Sequence, residues 1–189
     1  MILKQEETND NPNLDFSSLE KIFTERSVRK GEFFIRQGDM SGELAIVKKG
    51  LFRSYYIDNN GNDITKYFYP EESVLFSYAA YCSGTCTEYS VEALEDSVIL
   101  AADANEFNKT VNCSVRLKEY YRKEIDKIII AKEEHALSFK LLNGTERYQA
   151  FCNKNPGLEN RIKQYNLATF LGMTPITLSR IRKKLKINK

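Results

Sequence analysis

The sequence predicts an α+β chain built from an N-terminal antiparallel β-barrel, one long helix and a C-terminal helix-turn-helix. Three observations carry that prediction. Between residues 28 and 103, short apolar runs are separated by evenly spaced glycine-rich turns with no helix between them, the grammar of a closed antiparallel fold and not of a βαβ sheet. Residues 112–142 contain neither Gly nor Pro and carry apolar side chains at helical spacing. The last 50 residues are strongly basic and end in two helical segments joined by a glycine turn.

Charge separates these parts. The 189 residues hold 28 Lys plus Arg and 26 Asp plus Glu, a net of +2. Residues 1–139 carry 17 basic and 24 acidic side chains, whereas residues 140–189 carry 11 basic and only two acidic ones, Glu146 and Glu159. The halves are therefore −7 and +9, which points to an acidic body and a module facing a polyanion. A hydrophobic content of 42% with 12% aromatics excludes a disordered chain. The longest apolar runs, Tyr78 to Cys82 and Val98 to Ala102, are five residues each, too short to span a bilayer. The N-terminus turns acidic at Glu6-Glu7 without a signal-peptide core, so a cytoplasmic protein is expected. A single histidine, His135, leaves little for zinc sites, Ser-His-Asp triads or haem ligation, and no nucleophile–base pair or phosphate loop is present, so no enzyme and no cofactor or metal are expected. His135 reads as a polar helix-surface residue. The four cysteines, Cys82, Cys86, Cys113 and Cys152, read as buried free thiols.

The elements follow in order. Residues 1–13 are polar and expected to fray. Asp15 can cap a short helix that places Phe16, Leu19, Ile22 and Phe23 on one face. Strands follow at Glu32-Phe33-Phe34-Ile35, Leu44-Ala45-Ile46-Val47 and Leu51 to Ile57, and Asp58-Asn59-Asn60-Gly61-Asn62-Asp63 is a hairpin turn. The long helix carries Leu117, Tyr121, Ile125, Ile128 and Ile129 in a stripe that either packs on its own barrel or pairs with a partner helix. Asn143-Gly144 interrupts it as a hinge candidate, and Thr145 followed by Glu146 restarts a helix as its N-cap. The domain boundaries are thus 1–111 for the barrel, 112–142 for the long helix and 143–189 for the basic module.

In that module, Leu167, Ala168 and Leu171 are apolar on one face, and Gly172 can take the left-handed conformation that ends a helix. Thr174 is an N-cap and Pro175 suits the first helical position. On the second helix Leu178, Ile181 and Leu185 point inward. Ile176, Thr177, Ser179, Arg180, Lys183 and Lys184 lie on the other side and suit a DNA major groove. Arg180 could read guanine, Ile176 a thymine methyl, and Thr177 or Ser179 a base edge or phosphate. Arg182, Lys183, Lys184 and Lys186 would supply phosphate contacts.

This combination resembles the Crp/Fnr family of bacterial transcription regulators. Gly31 to Asp39 and Leu44 to Gly50 are similar to the opening strands of its cyclic-nucleotide-binding jelly roll, and Leu167 to Pro175 with Thr177 to Arg182 are similar to its helix-turn-helix. The resemblance covers residues 15–185. It implies a homodimer paired through the long helix (Leu117, Tyr121, Ile125, Ile128), binding double-stranded DNA at a pseudo-palindromic operator, with RNA polymerase as a further partner. Nucleotide-binding members hold the ribose with a Gly-Glu segment and the cyclic phosphate with an Arg-Ser or Arg-Thr pair. The corresponding positions here are Phe76-Ser77, before Tyr78, and Thr87-Glu88, and no Arg or Lys occurs between Lys66 and Lys109. A phosphate would meet Glu88 and no arginine, which argues against cyclic AMP.

Either an unidentified small-molecule effector or the aromatics Tyr67, Phe68, Tyr69, Phe76, Tyr78, Tyr81 and Tyr89 fill the barrel. The remaining residues from Leu185 to Lys189 are too few for the β-hairpin wing the family adds to its recognition helix. The rival reading is a small-molecule-binding barrel whose basic tail engages a protein partner.

Overall fold

The computed structural model describes residues 13–40 and 42–187. The elements are α1 (Asn13–Lys21), β1 (Thr24–Val28), β2 (Phe33–Ile35), β3 (Glu43–Lys49), β4 (Phe52–Ile57), β5 (Asp63–Tyr69), β6 (Val74–Leu75), α2 (Tyr78–Ser83), β7 (Ser90–Ala93) and β8 (Ser97–Asp103). They continue through α3 (Ala104–Asn112), α4 (Val115–Leu141), α5 (Gly144–Lys154), a 3₁₀ turn (Leu158–Asn160), α6 (Gln164–Phe170) and α7 (Pro175–Ile187). The described residues form two compact units. One holds the chain up to residue 54 together with 68–127, and the other holds 55–67 together with 128–187.

The strands form two four-stranded sheets, ordered β1-β8-β3-β6 and β2-β7-β4-β5; residues 55–67 of β4 and β5 are grouped with the second unit, and the remaining strand residues with the first. The pairings β1 with β8, β3 with β8, β3 with β6 and β2 with β7 are antiparallel. Each strand alternates between faces, and the inward set condenses into one core of Val28, Ile35, Ala45, Val47, Phe52, Leu75, Tyr89, Val91, Ala93, Ile99 and Ala101. The anticipated turn at residues 58–63 joins β4 to β5. There the Asp58 carboxylate accepts from the amides of Asn60 and Asn62 at 2.8 Å each, and Gly61 has φ +81°. Helix α1 begins at Asn13, two residues before the anticipated cap at Asp15. An acidic residue in the first turn is favoured by the same helix dipole that favours one at the cap, so the sequence alone misplaces the start. The side chains of Asp15 and Phe16 lie outside the described residues.

The anticipated helix over 112–142 is two helices. α3 ends at Asn112, and α4 starts at Val115 with the Ser114 hydroxyl accepting from the Leu117 amide at 3.3 Å. A serine is a good cap, and it ends one helix while starting the next even without Gly or Pro. The apolar stripe of α4 divides as well. Leu117 is 2% exposed in a cluster with Leu19 and Val111, and Tyr121 packs on that cluster with its ring 5.5 Å from Phe107. The Tyr121 phenol is pushed up to about 12, by burial first and then by its neighbours Tyr78, Cys82 and Tyr81. Leu117 and Tyr121 are therefore core residues of their own unit, a correction to their place in the anticipated dimer stripe. Ile125 is half-buried, and Ile128, Ile129, Ile130, Leu137 and Leu141 are exposed.

The thiols are free, as expected, yet Cys82, Cys86 and Cys113 are exposed and Cys152 is half-buried. The reading of buried cysteines fails because α2 and the turns after α2 and α3 lie at the surface. Among the described residues, no helix is long and apolar enough to cross a membrane.

The second unit holds the far end of α4, α5, the 3₁₀ turn, α6 and α7, with the 55–67 hairpin. Its core is Phe151, Leu158, Ile162, Leu167, Ala168, Phe170, Leu171, Leu178 and Ile181, all buried. The N-cap of α5 is Asn143, not Thr145. Its Oδ1 accepts from the amides of Thr145 and Glu146 at 2.9 and 3.1 Å, while Glu146 Oε2 accepts from the Asn143 amide at 2.7 Å. The reciprocal box needs a capping side chain three residues before a glutamate, and Asn143 meets that spacing whereas Thr145 does not.

Candidate nucleic-acid interface

Helix α7 owes its placement to the turn before it. After α6, Gly172 adopts φ +63°, its amide bonds the Thr169 carbonyl at 3.1 Å, and the Met173 amide bonds the Ala168 carbonyl at 3.0 Å. A Cβ at Gly172 would stand 2.5 Å from the Phe139 ring, so both the backbone conformation and the space require glycine. Thr174 then starts α7, with its hydroxyl accepting from the Thr177 amide at 3.1 Å and lying 2.9 Å from the Thr177 hydroxyl. The Gln164 side chain donates to the Pro175 carbonyl at 3.0 Å, tying the start of α6 to the start of α7.

The faces of α7 separate as the helical period anticipates. Leu178 is 0% and Ile181 is 9% exposed, and Leu185 is half-buried. Thr174, Ile176, Thr177, Ser179, Arg180, Lys183 and Lys184 are all exposed, with Ile176 at 66%. Arg182 departs from the anticipated phosphate set. Its Nε donates to the Tyr148 hydroxyl at 3.3 Å and its Nη2 to the Glu159 carbonyl at 3.1 Å, with the guanidinium over the Tyr148 ring. Arg182 sits one position after the inward Ile181 and turns back toward α5, so it fastens α7 instead of facing outward. The Lys186 side chain and residues 188–189, where a wing would begin, lie outside the described residues.

Contacts from distant sequence complete the unit. The Thr65 amide donates to Thr169 Oγ1 at 3.2 Å, the Tyr165 hydroxyl donates to the Asp63 carbonyl at 3.2 Å, and Tyr67 meets Phe170 edge-on. His135 is not a plain surface residue. It stacks on Phe170 at 4.4 Å and stands edge-on to Phe139, and burial first, then the Lys154 charge, holds its imidazole below the ordinary value. No local pattern signals either set, because each joins residues from separate elements.

The anticipated effector pocket differs in kind. Ser77 and Thr87 are 1% and 2% exposed, and their hydroxyls bond each other at 3.1 Å; Thr87 Oγ1 also donates to the Tyr89 carbonyl. The Tyr89 hydroxyl donates to the Phe76 carbonyl at 3.3 Å, and Ser54 meets the Tyr69 hydroxyl at 3.2 Å. These hydroxyls are satisfied by one another or by backbone carbonyls. Glu88 is exposed in the bend before β7, between the buried Thr87 and Tyr89. Tyr78 and Tyr81 lie on α2 and not on a strand. Tyr78 is 46% exposed, and both rings contact Phe76. A cleft of about 430 Å³ does exist, but it lies along β1, β2 and β3 among Arg26, Phe33, Phe34, Arg36 and Glu43.

Residues 25–112 match the family model of the cyclic nucleotide-binding domain. Solved structures similar to the whole chain include FixK2 from Bradyrhizobium japonicum, at TM-score 0.77 and 19% identity over 88% of this chain and 86% of that one. A CooA variant from Carboxydothermus hydrogenoformans aligns at TM-score 0.71 and 18% identity over 95% and 86%. The global regulator CLP of Xanthomonas campestris, described as c-di-GMP responsive, aligns at TM-score 0.72 and 13% identity over 92% and 91%. No curated protein sequence matches the chain. Residues 25–112 thus resemble a cyclic nucleotide-binding domain, and the fold of the chain, with the long helix and the C-terminal helices after that segment, is similar to the folds of these regulators.

Proposed function

We propose that the protein is a cytoplasmic, dimeric, sequence-specific DNA-binding transcription regulator whose barrel does not take cyclic AMP. The observation that carries the reading is the division of α7 into an inner face of Leu178 and Ile181 and an exposed outer face of Ile176, Thr177, Ser179, Arg180, Lys183 and Lys184. A second helix of a helix-turn-helix, capped at Thr174 and carrying bidentate, hydroxyl and methyl-contacting side chains outward, matches what major-groove reading requires. The +9 charge of residues 140–189 supplies the attraction to phosphate. Pairing with a second copy is supported by Ile130, Leu137 and Leu141, at i, i+7 and i+11 on α4 and between 51% and 70% exposed. Exclusion of cyclic AMP is supported by the Ser77–Thr87 closure.

The test is selection of duplex sites from random DNA with the full chain, followed by salt titration on the selected site. Steep loss of affinity with salt and a two-fold symmetric site are expected. A chain that shows no duplex preference, and binds protein partners through its basic end instead, overturns the reading. Calorimetric titration with cyclic AMP gives no heat on this reading.

A further inference from the structure

The break at Asn143 has the sequence of a hinge, but its surroundings are those of a joint. The Leu142 amide bonds the Ser138 carbonyl at 3.0 Å, closing α4, and the Asn143–Glu146 box opens α5. The Arg147 amide bonds the Asn143 carbonyl at 2.9 Å. The Arg147 side chain then spans the break: Nη1 donates to the Leu142 carbonyl at 2.7 Å, and Nε donates to the Leu171 carbonyl at 2.9 Å. Its guanidinium lies 5.0 Å over the Phe139 ring. Leu142 closes α4 and Leu171 caps α6, so two helix C-termini converge on one cation, which answers orphan carbonyls and both dipoles together.

Two glycines let the same surfaces meet closely. Gly172 stands over Phe139 of α4 with no room for a Cβ, and a Cβ at Gly144 would be 3.3 Å from the Met173 methyl and 3.7 Å from Ile181 of α7. The end of α4, the start of α5 and the turn into α7 therefore touch at three points.

We propose that Arg147 is a positioning residue that fixes the angle between α4 and α7, so that the break at Asn143 transmits rotation of α4 to the recognition helix and does not absorb it. The inference rests on the dimeric DNA-reading function proposed above, and adds which residue sets half-site spacing. In a dimer paired through α4, the angle at this joint decides how far apart and how rotated the two α7 helices stand. One base pair of spacing rotates the second half-site by about 35° around the duplex, so a fixed joint makes spacing selective. A lysine keeps the charge but presents one ammonium in place of a planar fork, and it cannot hold both carbonyls in this geometry.

The experiment compares wild type and Arg147→Lys, as full chains, on one half-site duplex and on paired half-sites whose separation is stepped by single base pairs. Wild type is expected to prefer one separation. Arg147→Lys should bind the single half-site within about twofold of wild type and lose about tenfold at the preferred separation, flattening the profile. An unchanged profile overturns the proposal. So does an equal loss on single and paired sites, which would mean that Arg147 only holds the module together. Phe139→Leu is the second variant, removing the ring beneath the guanidinium; it should flatten the profile in the same direction, and a wild-type profile overturns the proposal even where Arg147→Lys fails to fold. If the wild type binds no duplex, the DNA-reading function itself fails and the joint has nothing to position. Wild-type binding without a preferred separation overturns the joint alone.

Discussion

The barrel interior and the outer face of α7 descend from opposite treatments of polar side chains. Inside the barrel, Ser77, Thr87, Tyr89, Ser54 and Tyr69 turn their hydroxyls on one another or on backbone carbonyls. Buried Arg53 likewise meets Glu92 at 2.6 Å. On α7, Ser179, Arg180, Lys183 and Lys184 are left exposed on a helix whose inner face is buried. On the function proposed above, hydroxyls that satisfy one another leave the barrel without a ligand, while α7 keeps side chains available for DNA. Fold and function separate at the level of individual hydroxyls.

The largest expected effect lies beneath the reading face. Leu178→Ala removes a fully buried side chain from the module core and should cost about 3 kcal/mol, read as a shift in chemical denaturation. Ile176→Ala, two residues earlier and 66% exposed, should leave stability within about 0.5 kcal/mol while weakening DNA binding. Comparable losses of stability for both would erase the distinction between the two faces.

Arg180→Ala comes next. It should cost about 2 kcal/mol on the selected site and relax the preference at one base position. Lys184→Ala should instead weaken selected and random DNA alike and reduce the slope of affinity against salt. Equal losses on both DNAs for Arg180→Ala would move that residue from base reading to phosphate contact.

The barrel side is tested by a cycle. Thr87→Val and Ser77→Ala singly should each cost about 1.5 kcal/mol, because each leaves a buried polar partner unanswered, whereas the pair together should cost less than their sum. Strict additivity in urea melts would show that the two hydroxyls are not closing on each other.

How far these features were legible depends on how local their causes are. The turn at Gly172, the cap at Thr174 and the inner face of α7 follow from neighbours three or four residues apart, and the structure places them as the spacing anticipates. The hairpin at residues 58–63 was legible for the same reason, since Asp58 answers its own turn amides. The misplaced features are those decided by packing. Periodicity cannot tell whether Leu117 and Tyr121 meet Leu19 and Phe107 or a second chain. Nor can it show that Arg182 bends back to Tyr148, 34 residues away. Arg147 left one faint signal, as an arginine at the start of a capped helix, where the dipole favours an acid. A cation placed against that preference answers something else, here two carbonyls from other helices.

The smallest effect sharpens the comparison from within the second unit, where one ionisable group lies half-buried against aromatic rings. His135 is flanked by Phe170 and Phe139, with Lys154 nearby and Glu134 paired to that lysine at 2.8 Å. Burial and the lysine both disfavour the imidazolium, so the folded value lies below the unfolded one. The unfolded chain then binds more protons as the solution acidifies, and stability falls as pH drops through the ordinary histidine value of about 6.5. Above that value the contribution is complete, and below the folded value the loss levels off. Because His135 is the sole histidine in the chain, melts at pH 7.5 and 5.5 isolate it from carboxylates, which titrate lower. His135→Phe keeps the ring packing and removes the proton, so it should flatten this step. A step that survives in His135→Phe would assign the pH dependence to another group.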